Sequence, residues 1–393
     1  MTALYIHVPF CHSVCNYCDF YVSRSKHGGQ EQYVESVLSE IEHELHTKAQ
    51  LAGAALTLTS IYVGGGTPTQ LPASFYQRCF DTIRAHATIA PNAEITLEAN
   101  PNAMVDTPDA YAAVGFNRIS LGIQSFNDRE LKVLSRGHSA QQALDAVAAF
   151  RVAVISNISV DLMYGFPHQT PDSWQATLEQ VAALPIQHVS FYGLQVHEDT
   201  PYHRLVKTDA YPLPPDEQTV SMFYQAKSYL EMQGFTLYEL SNMAREGFES
   251  RHNKAYWQMQ PFIGVGPGAS GYWPQPDGTA VLSENARDLH TWYVPGEPDK
   301  RRTLITYYTQ QEHVENKLVF GLRLLTGLHV PSLERELGVN ILKTYAKVLP
   351  SLLEEKHLIF DTDTQMLRLN PEKIHLSNTV LAEFIGEPLV SCN

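Results

Sequence analysis

Cys11, Cys15 and Cys18 are the residues of this chain best suited to chemistry, a Cys-x3-Cys-x2-Cys run within Tyr5-Ile6-His7-Val8-Pro9-Phe10-Cys11-His12-Ser13-Val14-Cys15-Asn16-Tyr17-Cys18-Asp19-Phe20. Three thiolates on one short loop can each hold one iron of a [4Fe–4S] cubane and leave the fourth iron without a protein ligand. S-adenosylmethionine bound at that open corner through its amino and carboxylate groups can accept an electron and break into methionine and a 5′-deoxyadenosyl radical. Structural zinc, which is four-coordinate, is the alternative, with His7 or His12 as fourth ligand. Zinc accounts for the cysteines and for nothing downstream. Five cysteines, three of them so closely spaced, suit a thiolate metal site in a reducing compartment better than a disulfide framework. Cys79 shares a helical apolar face with Phe75, Phe80 and Ile83, and Cys392 lies in a terminal tail, so neither is assigned to the site.

A second group of polar residues falls at strand ends. Gly64-Gly65-Gly66-Thr67-Pro68-Thr69 closes the second predicted strand, where missing Cβ atoms let backbone approach a ligand; a plain strand-to-helix turn is the alternative. Glu98 and Asn100 end the third strand, Gln124 and Ser125 the fourth, and Asp161 the fifth. A carboxylate buried in a strand is costly unless paired, so Glu98 and Asp161 require partners such as ribose hydroxyls, an ammonium group or Arg136. Buried ion pairs would satisfy them equally. Taken together on the rim of one parallel sheet, the set reads as a cofactor site.

The elements that must position these residues are legible as β-rich runs alternating with helical stretches. Strands are predicted over 4–8, 60–64, 94–99, 118–123, 158–163 and 188–194, with helices such as 31–48 and 173–184 between them; a helix over 217–233 precedes a short strand over 236–240. Six such units with near-continuous apolar strands imply an α/β fold, a partial (β/α)6 barrel, because a complete eight-unit barrel takes about 250 residues. A doubly wound open sheet is the alternative. Residues 253–299, rich in Gly, Pro, Trp and Tyr, read as functional loops and a linker. Helices over 312–325, 330–345 and 349–356, a hairpin over 358–369 and a last helix from 376 predict a small C-terminal helical domain with a β-wing. The expected division is a partial barrel over 1–242, a loop and linker region over 243–300, and the small domain over 301–393.

The formal net charge is −14, and the only basic cluster, Lys300-Arg301-Arg302, reads as a solvated loop, so no nucleic-acid partner is expected. There is no N-terminal signal pattern, and no apolar run approaches the roughly 20 residues of a membrane helix. A soluble, cytoplasmic protein without a membrane span is the expectation.

At this point the chain resembles, over nearly its whole length, the radical SAM family of oxygen-independent coproporphyrinogen III oxidases and its HemW-type heme-chaperone branch. The resemblance is carried by Tyr5-Ile6-His7-Val8-Pro9-Phe10, the cysteine and triple-glycine motifs, Leu97-Glu98-Ala99-Asn100-Pro101 and Arg118-Ile119-Ser120-Leu121-Gly122-Ile123-Gln124-Ser125-Phe126. Arg136, His138, Asp161-Leu162-Met163-Tyr164-Gly165-Phe166-Pro167, Tyr238-Glu239-Leu240-Ser241-Asn242 and His252-Asn253-Lys254-Ala255-Tyr256-Trp257 continue it, with Leu367-Arg368-Leu369-Asn370-Pro371 and Leu376-Ser377-Asn378 in the small domain. It implies S-adenosylmethionine contacts from Tyr5, the backbone around Tyr17, Gly65, Gly66, Thr67, Glu98, Gln124, Arg136 and Asp161. Phe20 stands where the oxidases carry a fourth cysteine, as in the chaperone branch. Ser250 stands where many relatives have a cysteine two positions before the histidine, which removes a thiolate role there.

The implied function is a heme chaperone that binds a [4Fe–4S] cluster, S-adenosylmethionine and heme, hands heme to an acceptor protein, and draws on an electron-donor protein. Oxidative decarboxylation of coproporphyrinogen III is the alternative; no catalytic residue is assigned, and enzymatic turnover is left open. His252 is the candidate heme ligand, because neutral imidazole is the usual protein ligand to heme iron, with a plain hydrogen-bonded histidine as the alternative. Tyr256, Trp257, Phe262, Tyr272 and Trp273 would supply flat walls. A homodimer, and peripheral membrane contact through the acceptor, stay open.

Overall fold

The computed structural model describes residues 2–24, 30–153, 155–208, 211–293 and 298–392. Six parallel strands lie side by side in the order in which they occur along the chain: β1 (Thr2–Val8), β2 (Thr57–Gly65), β3 (Thr88–Ala99), β4 (Arg118–Gln124), β5 (Asn157–Tyr164) and β6 (His188–Gly193). Each strand–helix–strand step therefore moves one place in the same direction. A doubly wound sheet reverses direction midway; this one does not, and its six units form a partial (β/α)6 barrel.

Side-chain alternation explains the architecture, and it corrects the expectation of near-continuous apolar strands. Leu4, Ile6, Val8, Ile61, Val63, Leu97, Ile119, Leu121, Ile158, Val160, Leu162, Val189 and Phe191 are buried in one apolar cluster with helix residues such as Val37, Ile41, Phe80, Phe150 and Leu178. The intervening residues, among them Tyr5, His7, Tyr62, Glu98, Ser120, Asp161 and Ser190, point to the opposite face, because successive side chains of a strand alternate. The helices thus cover an apolar exterior, and the barrel interior is polar.

The sheet extends past both ends of the six-strand set. β7 (Thr236–Leu237) and β8 (Asn242–Ala244) add antiparallel strands beyond β6. On the other side β9 (Phe262–Val265) runs parallel to β1, followed by antiparallel β10 (Ser270–Pro274), β11 (Ala280–Asn285) and β12 (Arg302–Tyr308). Residues 253–299, expected as loops, therefore supply a helix end and three strands of the main sheet. Strands of four to six residues, interrupted by Gly and Pro, are too short to reveal a period.

Nor is Lys300-Arg301-Arg302 a solvated loop. Arg301, in the turn just before β12, is buried and donates through Nη1 to the Ser36 carbonyl at 3.0 Å, and Arg302 pairs with Glu44, so the two tie the start of β12 to the helix Gln30–Ala52. After β12 follow the helices Gln310–Gly321, Val330–Leu337, Ile341–Thr344, Leu349–Glu354 and Ser377–Ala382, with a three-stranded sheet of β13 (Leu328–His329), β14 (Leu358–Asp361) and β15 (Met366–Leu369). The helix expected over 330–345 is two helices, the second capped by Asn340, which accepts from the Lys343 amide. Leu318, Leu333, Ile341, Leu358 and Phe384 join the apolar cluster of the barrel. Among the described residues, no helix is long and apolar enough to cross a membrane.

Candidate cofactor site

β1 lies between β2 and β9, so the cysteine loop leaves the middle of the sheet. Its neck is fastened by the backbone: Cys11 N donates to Ser23 O at 3.2 Å, Ser23 N to Pro9 O at 2.7 Å, and Thr67 N to Phe10 O at 2.7 Å. Farther out, Tyr202 N of the helix Pro201–Lys207 donates to Asn16 O at 3.0 Å. All three cysteines are half-buried. Burial pushes the Cys11 thiol up and the Cys18 thiol up to about 11, so a metal binding here displaces protons. Cys79 is buried in the helix Ala73–His86 and Cys392 is exposed.

His7 has no free ring nitrogen for zinc: Nδ1 meets the Tyr5 hydroxyl at 3.0 Å and Nε2 the Tyr21 carbonyl at 2.9 Å. Among the described residues no three His, Cys, Asp or Glu side chains converge as ligands of a single ion. Three thiols on one loop, with His7 already engaged, fit the donor set of a cubane with one open iron.

The triple glycine lets the end of β2 pass between this loop and β3. Gly65 has φ +114, and a Cβ there would lie 2.6 Å from the His7 ring; one on Gly66 would lie 2.7 Å from Phe10 O. Gly65 N donates to Glu98 Oε2 at 3.0 Å, and Thr67 Oγ1 is 3.6 Å from Cys11 Sγ.

On the inner face, Tyr62 donates its hydroxyl to Glu98 Oε1 at 2.7 Å, and Ser120 donates to Asp161 Oδ1 at 3.0 Å. The partners of Glu98 and Asp161 within the protein are thus neutral donors, and Arg136 pairs with neither. Arg136 donates to Gly122 O, to Asn100 Oδ1 at 2.9 Å and to Cys15 Sγ at 3.5 Å, while its buried Nε has no protein partner. Gln124 ends β4 at φ 72, with its amide nitrogen 3.2 Å from where a Cβ of Gly122 would stand. Tyr17 packs beside Leu134, Met163 and Phe166. Ser125 belongs elsewhere, bound to Glu130 at 2.5 Å. An orphaned guanidinium N–H and two carboxyls at one rim fit a ligand carrying both a carboxylate and an ammonium group.

Burial raises the Glu98 carboxyl from 4.5 to about 7, against the Tyr62 hydrogen bond that lowers it and the Asp161 charge that adds to the rise; Glu40 and Glu239 are likewise raised to about 7. Unfolded chain ionises first, so the contribution of Glu98 to stability is complete below pH 4.5 and lost as pH rises to about 7. We expect ligand-free protein to lose about 3 kcal/mol through this group over that window, and Glu98→Gln to show a correspondingly shallower decline in denaturant unfolding measured across pH.

His252 lies inside the barrel below this rim, in the helix Arg251–Trp257. Glu94 fixes the start of that helix by accepting from the Arg251 and His252 amides at 3.1 Å each. The imidazole meets Ser60 Oγ through Nδ1 and Tyr256 Oη through Nε2, both at 2.9 Å, and its ring centroid is 5.1 Å from that of Tyr62. Burial lowers its pKa to about 3. Of the expected aromatic walls, Tyr256, Phe262 and Tyr272 follow His252 in consecutive ring contacts, with centroids 4.7, 4.6 and 5.9 Å apart, whereas Trp257 stacks on Phe320 and Trp273 belongs to the main apolar core.

Tyr62, Ser120 and Ser190 were not singled out in the sequence, although the alternation Ser60-Ile61-Tyr62-Val63-Gly64 carries the signal.

Against known proteins, the model of the radical SAM superfamily matches residues 5–181. The heme chaperone HemW of Lactococcus lactis is 30% identical, covering 97% of this chain and 96% of its own length. The heme chaperone HemW of Bacillus subtilis is 31% identical, covering 98% and 100% respectively. The chain belongs to the HemW family. Membership in the HemW family, a radical SAM group, implies a [4Fe–4S] cluster and S-adenosylmethionine. Coproporphyrinogen III oxidase HemN of Escherichia coli, a radical SAM enzyme, superimposes with a TM-score of 0.81 over 98% of this chain and 90% of its own; at 22% identity it shares the fold.

Proposed function

We propose that this chain is a heme chaperone. It holds a [4Fe–4S] cluster on Cys11, Cys15 and Cys18, and it binds S-adenosylmethionine between Tyr5, Tyr17, Gly65, Gly66, Thr67, Glu98, Gln124, Arg136 and Asp161. It passes heme to an acceptor protein and takes electrons from a donor protein. The observation that carries this reading is the end-to-end likeness to bacterial proteins named heme chaperones. Phe20 supports it, 64% exposed at the position where the oxidases carry a fourth cysteine. When bound, the cluster supplies a single electron at the barrel rim. The residues of the rim orient the ligand: Arg136 through its spare N–H, Glu98 and Asp161 through carboxylates already steadied by Tyr62, Gly65 and Ser120.

As folded, His252 has both ring nitrogens engaged, and to ligate heme iron it would have to give up the hydrogen bond to Ser60 or to Tyr256; we read it as a buried strut between the two. Heme added to anaerobically reconstituted protein is expected to bind, followed by its absorption band, with no conversion of coproporphyrinogen III in the presence of reductant and S-adenosylmethionine. His252→Ala should leave the heme spectrum unchanged while costing about 2–4 kcal/mol of stability, through two lost hydrogen bonds and a cavity. Multiple-turnover formation of protoporphyrinogen would overturn the chaperone reading, and a shifted heme band in His252→Ala would restore that histidine as ligand.

A further inference from the structure

We infer that Arg136 sets the reduction potential of the cluster, through an N–H···S hydrogen bond and a fixed, half-buried charge at Cys15, an inference that rests on the cluster reading above. Nη1 of Arg136 reaches Cys15 Sγ at 3.5 Å. The other arm of the fork, Nη2, is anchored on Gly122 O of β4 and on Asn100 Oδ1, just beyond β3. The backbone behind it is held as well: Arg136 N donates to Leu131 O at 2.8 Å, and Asn102 Nδ2 to Gly137 O at 2.7 Å. Among the described residues no carboxylate pairs with this guanidinium; its protein partners are a sulfur and neutral oxygens. The positive charge is therefore delivered to the cysteine loop without a counterion bound to it.

Reduction adds one negative charge to a cluster and its ligand sulfurs. A donor already bonded to a ligand sulfur, and a cation in a water-poor setting, stabilise that charge more than the oxidised state. The potential is higher with Arg136 than without it. Arginine keeps its protons throughout, so the step transfers one electron from the chemical reductant to the cluster and no proton. This role differs from holding the carboxylate of S-adenosylmethionine, because it persists when that ligand is left out.

The test is a mediated redox titration, followed by EPR without S-adenosylmethionine, of the reconstituted full chain, Arg136→Gln and Arg136→Lys, with iron and sulfide counted in each. In Arg136→Gln the reduced-to-oxidised ratio at a fixed potential should fall at least tenfold, a shift of about 59 mV to more negative values for one electron. Arg136→Lys should fall less, since it keeps the charge and loses the fork. Full clusters with an unchanged midpoint in Arg136→Gln would overturn the inference. So would loss of the cluster in Arg136→Gln with an unchanged midpoint in Arg136→Lys, or loss in both, which would make Arg136 a structural clamp of the loop. Failure of the unsubstituted chain to take up iron and sulfide would overturn the cluster reading itself.

Discussion

Cys11→Ala, Cys15→Ala and Cys18→Ala are each expected to abolish the cluster, with iron and sulfide after anaerobic reconstitution falling to background. Each thiolate serves one iron, and a fourth iron already lacks a protein ligand, so one substitution leaves half the cubane unheld. His7 is no replacement, since it spends one ring nitrogen on Tyr5 and the other on the Tyr21 carbonyl. Cys79→Ala provides the control. Its thiol is buried in the helix Ala73–His86 among Phe75, Tyr76 and Phe80, and burial pushes its ionisation far up, so full cluster content should remain. A complete four-iron signal in any of the three loop variants would contradict the assignment.

Glu98→Ala and Asp161→Ala are expected to weaken S-adenosylmethionine binding by roughly tenfold to a hundredfold while leaving the cluster assembled. A hydrogen bond to a charged group contributes about 1.5–3 kcal/mol, and 1.4 kcal/mol is tenfold in affinity. Both carboxyls stand on the inner face of the sheet and not in the cysteine loop, which is why cluster content should not change. Ser120→Ala, which removes only the hydroxyl steadying Asp161, should cost less than tenfold. Calorimetric titration of the reconstituted variants decides it. Unchanged affinity in both carboxyl variants would return Glu98 and Asp161 to a purely structural role, paired with Tyr62 and Ser120.

The six barrel strands were legible because each carries enough buried aliphatic residues to stand out, and their observed bounds differ from expectation mainly at β2 and β3, which begin earlier. The polar inner face was less visible: Tyr62, Ser120 and Ser190 look unremarkable one at a time, and only strand register sets them beside Glu98 and Asp161. The extension of the sheet through β9 to β12 was missed because a four-residue strand gains its stability from its neighbour, here β1, and not from its own pattern. That neighbour matters to the site, as Gly266 of the turn after β9 comes so close to His7 that a Cβ would lie 2.5 Å from its carbonyl oxygen. Composition likewise misjudged Arg301, and it gives no sign of the partners of His252. Nothing in a linear sequence reveals that Ser36 and Trp292 wait for the one, or Ser60 and Tyr256 for the other.

The central claim, a three-cysteine cluster with one iron open to S-adenosylmethionine, is tested most directly by EPR of the reduced, reconstituted protein with and without that ligand. The account predicts a reduced four-iron signal whose line shape changes when S-adenosylmethionine is added, because the ligand binds the cluster itself. Stoichiometric zinc in place of iron and sulfide, or a four-iron signal indifferent to saturating S-adenosylmethionine, would contradict it.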